Sequence, residues 1–251
     1  MISNGKFYES QFEEATIELL REAHWQYAFG DDIHRKYTDP LIEEDLRNFL
    51  TVQYKDKNLT TSEMDSIVAN LRNTGGQNDY YALRNAFLLY RDGYDFAYSD
   101  GRDNPFRLEY IDFEHPDHNI FRCVNQFVME QGRENRRPDI LLFINGIPVC
   151  IIELKNPTKQ NATIHDAHTQ ICTRYMRDIP ALLKYCALAV ISDGAKNALG
   201  TTYTPFEFFY EWKKIENEDK AGKGLDTLRT LIRGALSPER ILEILRDYVY
   251  F

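Results

Sequence analysis

The segment from Asp139 to Lys155 constrains the fold of this chain more than any other. It reads Asp139-Ile-Leu-Leu-Phe-Ile-Asn145-Gly146-Ile-Pro-Val-Cys-Ile-Ile-Glu153-Leu-Lys155. A short apolar run, an Asn-Gly pair and a second apolar run form a strong hairpin signal, because Asn and Gly accept the positive φ angles of a tight two-residue turn. The return strand is expected over residues 149–155. Asn156-Pro157 ends it, since proline lacks a ladder donor and keeps its predecessor out of helical angles.

Helices are expected before this hairpin. Ser10-x-x-Glu13 is a capping-box signature ahead of an amphipathic stretch to about residue 24. Asp39-Pro40 offers an N-cap and a first-turn proline for a segment to about residue 53. Thr60-x-x-Glu63 opens a third helix, and residues 79–90 a fourth. Residues 106–114 and 119–130 alternate apolar and polar like half-buried strands. Beyond the hairpin, residues 163–178 carry Ile164, Ala167, Ile171 and Tyr175 at helical spacing. Residues 186–192 read as a buried strand, 205–214 as an aromatic-rich helix, and Ser237-Pro238 as the start of a last helix. These patterns predict an α+β fold with a mixed sheet of about five strands, flanked by helices. The expected division is a helical N-terminal region packing on the core (1–100), the core (101–216), and a linker with a C-terminal helix (217–251).

The chemistry concentrates where the return strand leaves the core. Glu153 and Lys155 are two apart, so they share one face of a strand. A tight turn sets Asp139 opposite Ile152, one step out of register with Glu153. A β-bulge would correct this, and Pro148 is a natural place for it. Asp139 and Glu153 would then be neighbours. Paired carboxylates suit a hard cation such as Mg²⁺, which prefers oxygen ligands and keeps several waters. Such an ion makes bound water a better nucleophile and offsets charge on a scissile phosphate. Lys155 could orient that water or stabilise the developing negative charge. A Glu-x-Lys at a strand end is commonly a solvated surface pair. Pro138-Asp139 at the head of the partner strand, with the apolar strand between, makes the set a PD-(D/E)xK nuclease pattern.

The chain also resembles a known family. Arg137-Pro-Asp-Ile-Leu-Leu-Phe-Ile-Asn-Gly-Ile-Pro-Val-Cys-Ile-Ile-Glu-Leu-Lys155 is similar to the N-terminal region of the restriction (R) subunit of type I restriction-modification enzymes. So are Asn119-Ile-Phe-Arg-Cys-Val-Asn-Gln-Phe127 before it, and 178–185, Ile191-Ser-Asp-Gly194, Gly200-Thr201 and Phe209-Tyr-Glu-Trp212 after it. The resemblance implies a RecB-like nuclease fold and Mg²⁺-dependent cleavage of duplex DNA. It also implies an ATP-driven motor region in the same subunit, and modification and specificity subunits as partners. The chain contains no phosphate-binding G-x-x-x-x-G-K-[ST] loop, so ATP binding is assigned to that motor region, outside this chain. The family carries a Gln-x-x-x-Tyr pair on the helix after the site. Here Gln170-Ile-Cys-Thr-Arg-Tyr175 is one residue longer. A regular helix would align Gln170 with Arg174 and leave Tyr175 in the apolar stripe; a π-bulge would keep both Gln170 and Tyr175 at the site. The continuous stripe favours the regular helix, with Arg174 available to the DNA backbone.

Other residues carry weaker signals. Arg133, Arg136 and Arg137 precede Asp139 and could contact phosphates, although a solvated charge cluster is the commoner meaning. His165 and His168 have no evident third ligand and read as surface or packing groups. Glu13, Glu14 and Glu18 sit on the first helix, from which related folds often supply a metal-binding Glu, with capping sufficient to explain Glu13. Phe206, Phe208, Phe209, Tyr210 and Trp212 read as core. Net charge is −9, from 39 acidic and 30 basic residues, the reverse of a protein that grips DNA alone. A local basic patch or other protein parts must hold the substrate. None of Cys123, Cys150, Cys172 and Cys186 lies in a C-x-x-C pair, which argues against structural zinc and for free thiols. The chain has neither a bilayer-length apolar run nor a signal-peptide core, and a cytoplasmic location is expected. The alternatives are a non-catalytic docking module of the same fold and a stand-alone nuclease of the same superfamily.

Overall fold

The computed structural model describes residues 9–155, 163–215, 222 and 224–251. The Asn156-Pro157 stop and most of the linker-like stretch lie outside them. Helix α1 (Glu9–Glu22) is followed by a short strand, β1 (Gln26–Phe29), and then by α2 (Glu43–Gln53), α3 (Thr61–Asn73) and α4 (Asp79–Asp92). Strands β2 (Tyr94–Phe96) and β3 (Phe106–Leu108) pair as a separate ribbon. After β4 (Phe121–Asn125), a second ribbon, β5 (Met129–Gln131) and β6 (Glu134–Arg136), precedes the hairpin β7 (Ile140–Ile144) and β8 (Ile147–Leu154). A helical crossover follows: α5 (Ile164–Thr169), a π-helical turn (Gln170–Tyr175), α6 (Met176–Asp178) and α7 (Pro180–Leu183). It leads to β9 (Leu188–Ser192) and β10 (Asn197–Gly200), and α8 (Leu225–Ala235) and α9 (Pro238–Asp247) close the chain.

The chain is thus α+β, built on a mixed six-stranded sheet ordered β1-β4-β7-β8-β9-β10. β1 runs parallel to β4 and β8 parallel to β9; β4-β7, β7-β8 and β9-β10 are antiparallel. A parallel pair needs a long crossover, and the one between β8 and β9 lays the α5–α7 segment across one face. There Leu141, Phe143 and Ile151 pack with Ala167, Ile171 and Tyr175. The other face, with Ile140, Leu142 and Ile152, packs against residues of α1–α4, α8 and α9. No helix is long and apolar enough to cross a membrane among the described residues.

The hairpin turn is locked from within. Asn145 and Gly146 have φ of 50° and 77°, the paired positive values of a tight hairpin. The buried Asn145 amide accepts from Ile120 N–H (2.7 Å) and donates to Tyr110 O (3.0 Å) and Asn119 Oδ1 (2.8 Å). Ile42 N–H donates to Gly146 O at 2.9 Å, so close that a Cβ on Gly146 would stand 2.1 Å from Ile42 O. Gly146→Ala therefore combines left-handed strain with a backbone clash and should cost about 2–3 kcal/mol. Urea unfolding reads this directly; a cost below about 0.5 kcal/mol, the range of unconstrained surface changes, would contradict the account of the turn.

Several expected elements differ. Asp39-Pro40 stays outside α2, because Asp39 Oδ1 accepts from Leu41 N–H in a local turn and its other oxygen pairs with Arg72. The alternating stretch 106–114 gives only β3, and 119–130 breaks at Gln126, which has φ of 55°. The aromatic stretch after Pro205 is a single 3₁₀ turn followed by Tyr210 bridging Leu199, with Phe208 70% and Tyr210 62% exposed. The capping box of Thr60 and Glu63 forms as read. All four cysteines are unpaired, three of them buried.

Candidate functional site

The site starts with a register shift. β7 and β8 pair as Ile144–Ile147 and Phe143–Pro148, then slip to Leu142–Cys150 and Ile140–Ile152, leaving Val149 as the extra residue beside Pro148. The bulge expected at Pro148 is there, and it carries Asp139 one step along, opposite Glu153. Strand alternation sends Ile152 and Leu154 to the α1–α4 face, and Glu153 to the crossover face with Ile151. Asp139, next to Leu141 by two, shares that face. Asp139 Oδ2 accepts from Leu154 N–H at 2.7 Å, which holds the two strand ends together.

Glu153 is only 1% exposed. Its Oε1 accepts from Lys155 Nζ at 2.8 Å, and Lys155 Nζ also donates to Gln170 Oε1 at 2.6 Å. Gln170 Nε2 in turn donates to the Tyr175 hydroxyl at 2.7 Å. That hydroxyl approaches the Glu153 carboxyl closely enough for each to perturb the other. Yet Oε2 of Glu153 is buried without a partner of good hydrogen-bond geometry. Burial, and then the neighbouring Asp139 charge, push the Glu153 carboxyl up to about 8, against the opposing pull of Lys155. Burial and the Glu153 charge likewise raise the Tyr175 hydroxyl.

The crossover helix reaches this cluster through a widened turn. Its start is fixed by Asp166 Oδ2, which accepts from both the N–H and the hydroxyl of Thr163 at 2.9 Å. Met176 N–H donates to Ile171 C=O, five residues back, within the π-helical turn Gln170–Tyr175. The regular helix favoured by the apolar stripe is therefore overturned. The wide turn absorbs the extra residue, so Gln170 and Tyr175 converge while Ile171 and Tyr175 both remain buried. Tyr175 packs its ring in the core and presents its hydroxyl to the site; the stripe was real and did not decide the helix type. Arg174 is turned out to solvent, not aligned with Gln170 on the site.

The arginines before Asp139 differ among themselves. Arg136 is spent on Asp178 (Nε to Oδ2, 2.8 Å) and on Glu134. Arg133 and Arg137 are exposed. Among the histidines, His165 and His168 pack edge-on against Phe206, and His168 Nε2 meets Thr204 O at 2.9 Å. Glu13 does not serve as a cap: it lies inside α1, where its Oε1 accepts from Asn125 Nδ2 (2.7 Å) and Gln126 Nε2 (3.1 Å). Asn125 ends β4 beside Ile140, so this contact fixes α1 at the same end of the sheet as Asp139. Glu14 and Glu18 sit near it on α1, Glu18 paired with Arg21 on the surface.

A mixed sheet thus carries a carboxylate pair and a lysine at one end of its central hairpin, under a glutamine and a tyrosine from the crossover. The chain belongs to the family described as Type I restriction enzyme R protein N terminus, which it matches over residues 6–208. It is similar to the type I restriction enzyme HindI endonuclease subunit of Haemophilus influenzae, 29% identical over 97% of this chain and 24% of that protein. It is also similar to the type I restriction enzyme EcoprrI endonuclease subunit of Escherichia coli, 31% identical over 49% of this chain and 40% of that protein. The chain thus spans about a quarter of the length of the first of these relatives.

Proposed function

We propose that this chain is the nuclease module of a type I restriction enzyme endonuclease subunit, cutting duplex DNA at a PD-(D/E)xK site built on Asp139, Glu153 and Lys155. The observation that carries this reading is the buried Glu153 Oε2, short of a well-placed donor, beside the Asp139 carboxylate. A buried acceptor left without a donor costs stability unless something else meets it, and two adjacent carboxylates are the oxygen donors that a hard divalent ion takes. Asp139 and Glu153 would hold Mg²⁺. When bound, the ion supplies an activated water and offsets phosphate charge.

The chain's own residues do the rest. Glu153 and Gln170 use two of the three Lys155 donors and fix its position; the remaining N–H is left to orient the attacking water or the scissile phosphate. Tyr175 anchors Gln170 and fills the space behind Glu153, keeping bulk water from the carboxylate. Arg137, exposed next to Pro138, is the candidate for a backbone phosphate contact. Arg136 would have to leave Asp178, and Arg174 serves only if DNA passes over the outer side of the crossover helix. The net acidity means that most of the grip on DNA comes from elsewhere. A motor region that hydrolyses ATP, and modification and specificity subunits, are the proposed sources.

A metal titration separates this reading from a docking module with relic carboxylates. Mn²⁺ at 100 times its Kd should stabilise the wild-type chain by about 2.7 kcal/mol through linkage, and the Asp139→Ala chain by much less. A melting temperature unmoved by Mn²⁺ in the wild type would point to the docking module.

A further inference from the structure

A second cluster of metal-ligating side chains lies at the other end of the sheet. Between β3 and β4 the chain reads Asp112-Phe-Glu-His115-Pro-Asp-His118. The ligand atoms of Asp112, His115 and His118 all fall within 4.8 Å of one another. Asn119 Oδ1 accepts from both Asp112 N–H (2.9 Å) and Asn145 Nδ2 (2.8 Å), which ties this loop to the Asn145–Gly146 turn. Asp139 is at the opposite end of β7, roughly 17 Å away at about 3.4 Å per residue.

Asp112 is built in place. It is buried, and its Oδ1 accepts from the backbone N–H groups of Glu114 (3.0 Å) and His115 (2.9 Å). Its Oδ2 is overfull. It accepts from Gln53 Nε2 at 3.1 Å, while His118 Nδ1 stands 2.9 Å away and His115 Nδ1 3.4 Å. A carboxylate oxygen offers two lone pairs, and here three nitrogens face one atom. The two imidazoles stack at 4.7 Å between centroids, 23° from parallel, with both Nδ1 atoms aimed at that point. Two imidazole nitrogens and one carboxylate oxygen, converging from a loop whose backbone already holds the carboxylate, make a ligand set for a cation.

We propose that Asp112, His115 and His118 form a binding site for a borderline divalent ion of the zinc class. Imidazole ligands favour such an ion over Mg²⁺. Zn²⁺ takes nitrogen at about 2.0–2.1 Å and carboxylate oxygen at about 2.0–2.2 Å, so ligand atoms about 3.3 Å apart surround it; the two His–Asp separations, 2.9 and 3.4 Å, bracket that value, and the three ligand atoms lie within 4.8 Å of one another. Three protein ligands leave a position for water. The carboxylate's hydrogen bonds to backbone and to Gln53 of α2 are the outer contacts that orient a first ligand. A bound ion would clip the 3₁₀ turn Pro116–His118, which packs against α9, to the end of α2.

The test is calorimetric titration of the chain with Zn²⁺ in excess Mg²⁺, which occupies the oxygen-rich pair at the other end. The wild type should bind one Zn²⁺ with micromolar or tighter affinity. His115→Ala and His118→Ala, both exposed positions that leave Asp112 and its turn intact, should each weaken binding about tenfold or more, or about 1.4 kcal/mol. Co²⁺ should give visible absorption bands in the wild type that the double variant lacks. No Zn²⁺ binding by the wild type, or undiminished binding by the double variant, overturns the proposal.

Discussion

Replacing Glu153 with glutamine is expected to cut metal-dependent cleavage by on the order of 10³-fold while making the metal-free chain more stable near pH 8. The two effects have one cause. Folding buries the Glu153 carboxyl beside Asp139 and lifts it from 4.5 to about 8. An acid raised in the folded state contributes stability that is fully present below about pH 4.5 and is lost as pH rises through about 8, because the unfolded chain has already released that proton. Metal-free wild type should therefore lose melting temperature across this window. Glu153→Gln should remove that loss, since the amide stays neutral and can still accept from Lys155. A divalent ion reverses the order: it takes the deprotonated carboxylate and releases a proton, so added Mg²⁺ should restore stability at high pH only in the wild type. Thermal melts from about pH 5 to 9, with and without Mg²⁺, read all three terms. If the metal-free variant is less stable than wild type at about pH 8, then burial beside Asp139 does not hold the Glu153 carboxyl raised.

The second large effect concerns the link from the crossover helix to Lys155. Gln170→Ala removes one of the two acceptors that hold Nζ and unseats the Tyr175 hydroxyl from its donor. Misplacement of a catalytic group by about 1 Å can cost on the order of 10²-fold in rate, and that is the loss expected in cleavage, with little change in stability. Deleting Thr173, exposed within the π-helical turn, is the contrasting experiment. It restores the four-residue spacing of a regular helix between Gln170 and Tyr175, so both should still reach the site and cleavage should persist. If the deletion lowered cleavage as far as Gln170→Ala does while the chain stayed folded, convergence of Gln170 and Tyr175 would not be what the wide turn provides.

Much of this site was legible because strand geometry is rigid. A two-residue turn fixes which residues face each other, so the mismatch between Asp139 and Glu153 could be counted in advance and the bulge near Pro148 inferred from it. Helix type was less legible. Ile164, Ala167, Ile171 and Tyr175 fit a regular stripe, and one inserted residue changes the pattern only for groups that must meet outside the helix. β1 and β10 are not legible because each has four residues, too few for a period of two to stand out. α8 begins just past the polar linker-like stretch, which hides its start. The aromatic segment after Pro205 misled for another reason. Phe209 and Trp212 are placed by Gly200 and Gly234, against which their rings pack, a long-range fit that no local pattern carries. The role of Glu13 was hidden in the same way, since its partners Asn125 and Gln126 are far along the chain.

The most direct measurement is plasmid cleavage by the complete restriction complex containing the full-length subunit, wild type against Asp139→Ala, with ATP hydrolysis followed in the same reaction. Asp139 lies at a strand end and outside the core, so the subunit should assemble and hydrolyse ATP at the wild-type rate while cleavage falls by on the order of 10³-fold or more. Cleavage by the Asp139→Ala complex at the wild-type rate would contradict the assignment of this site as the nuclease.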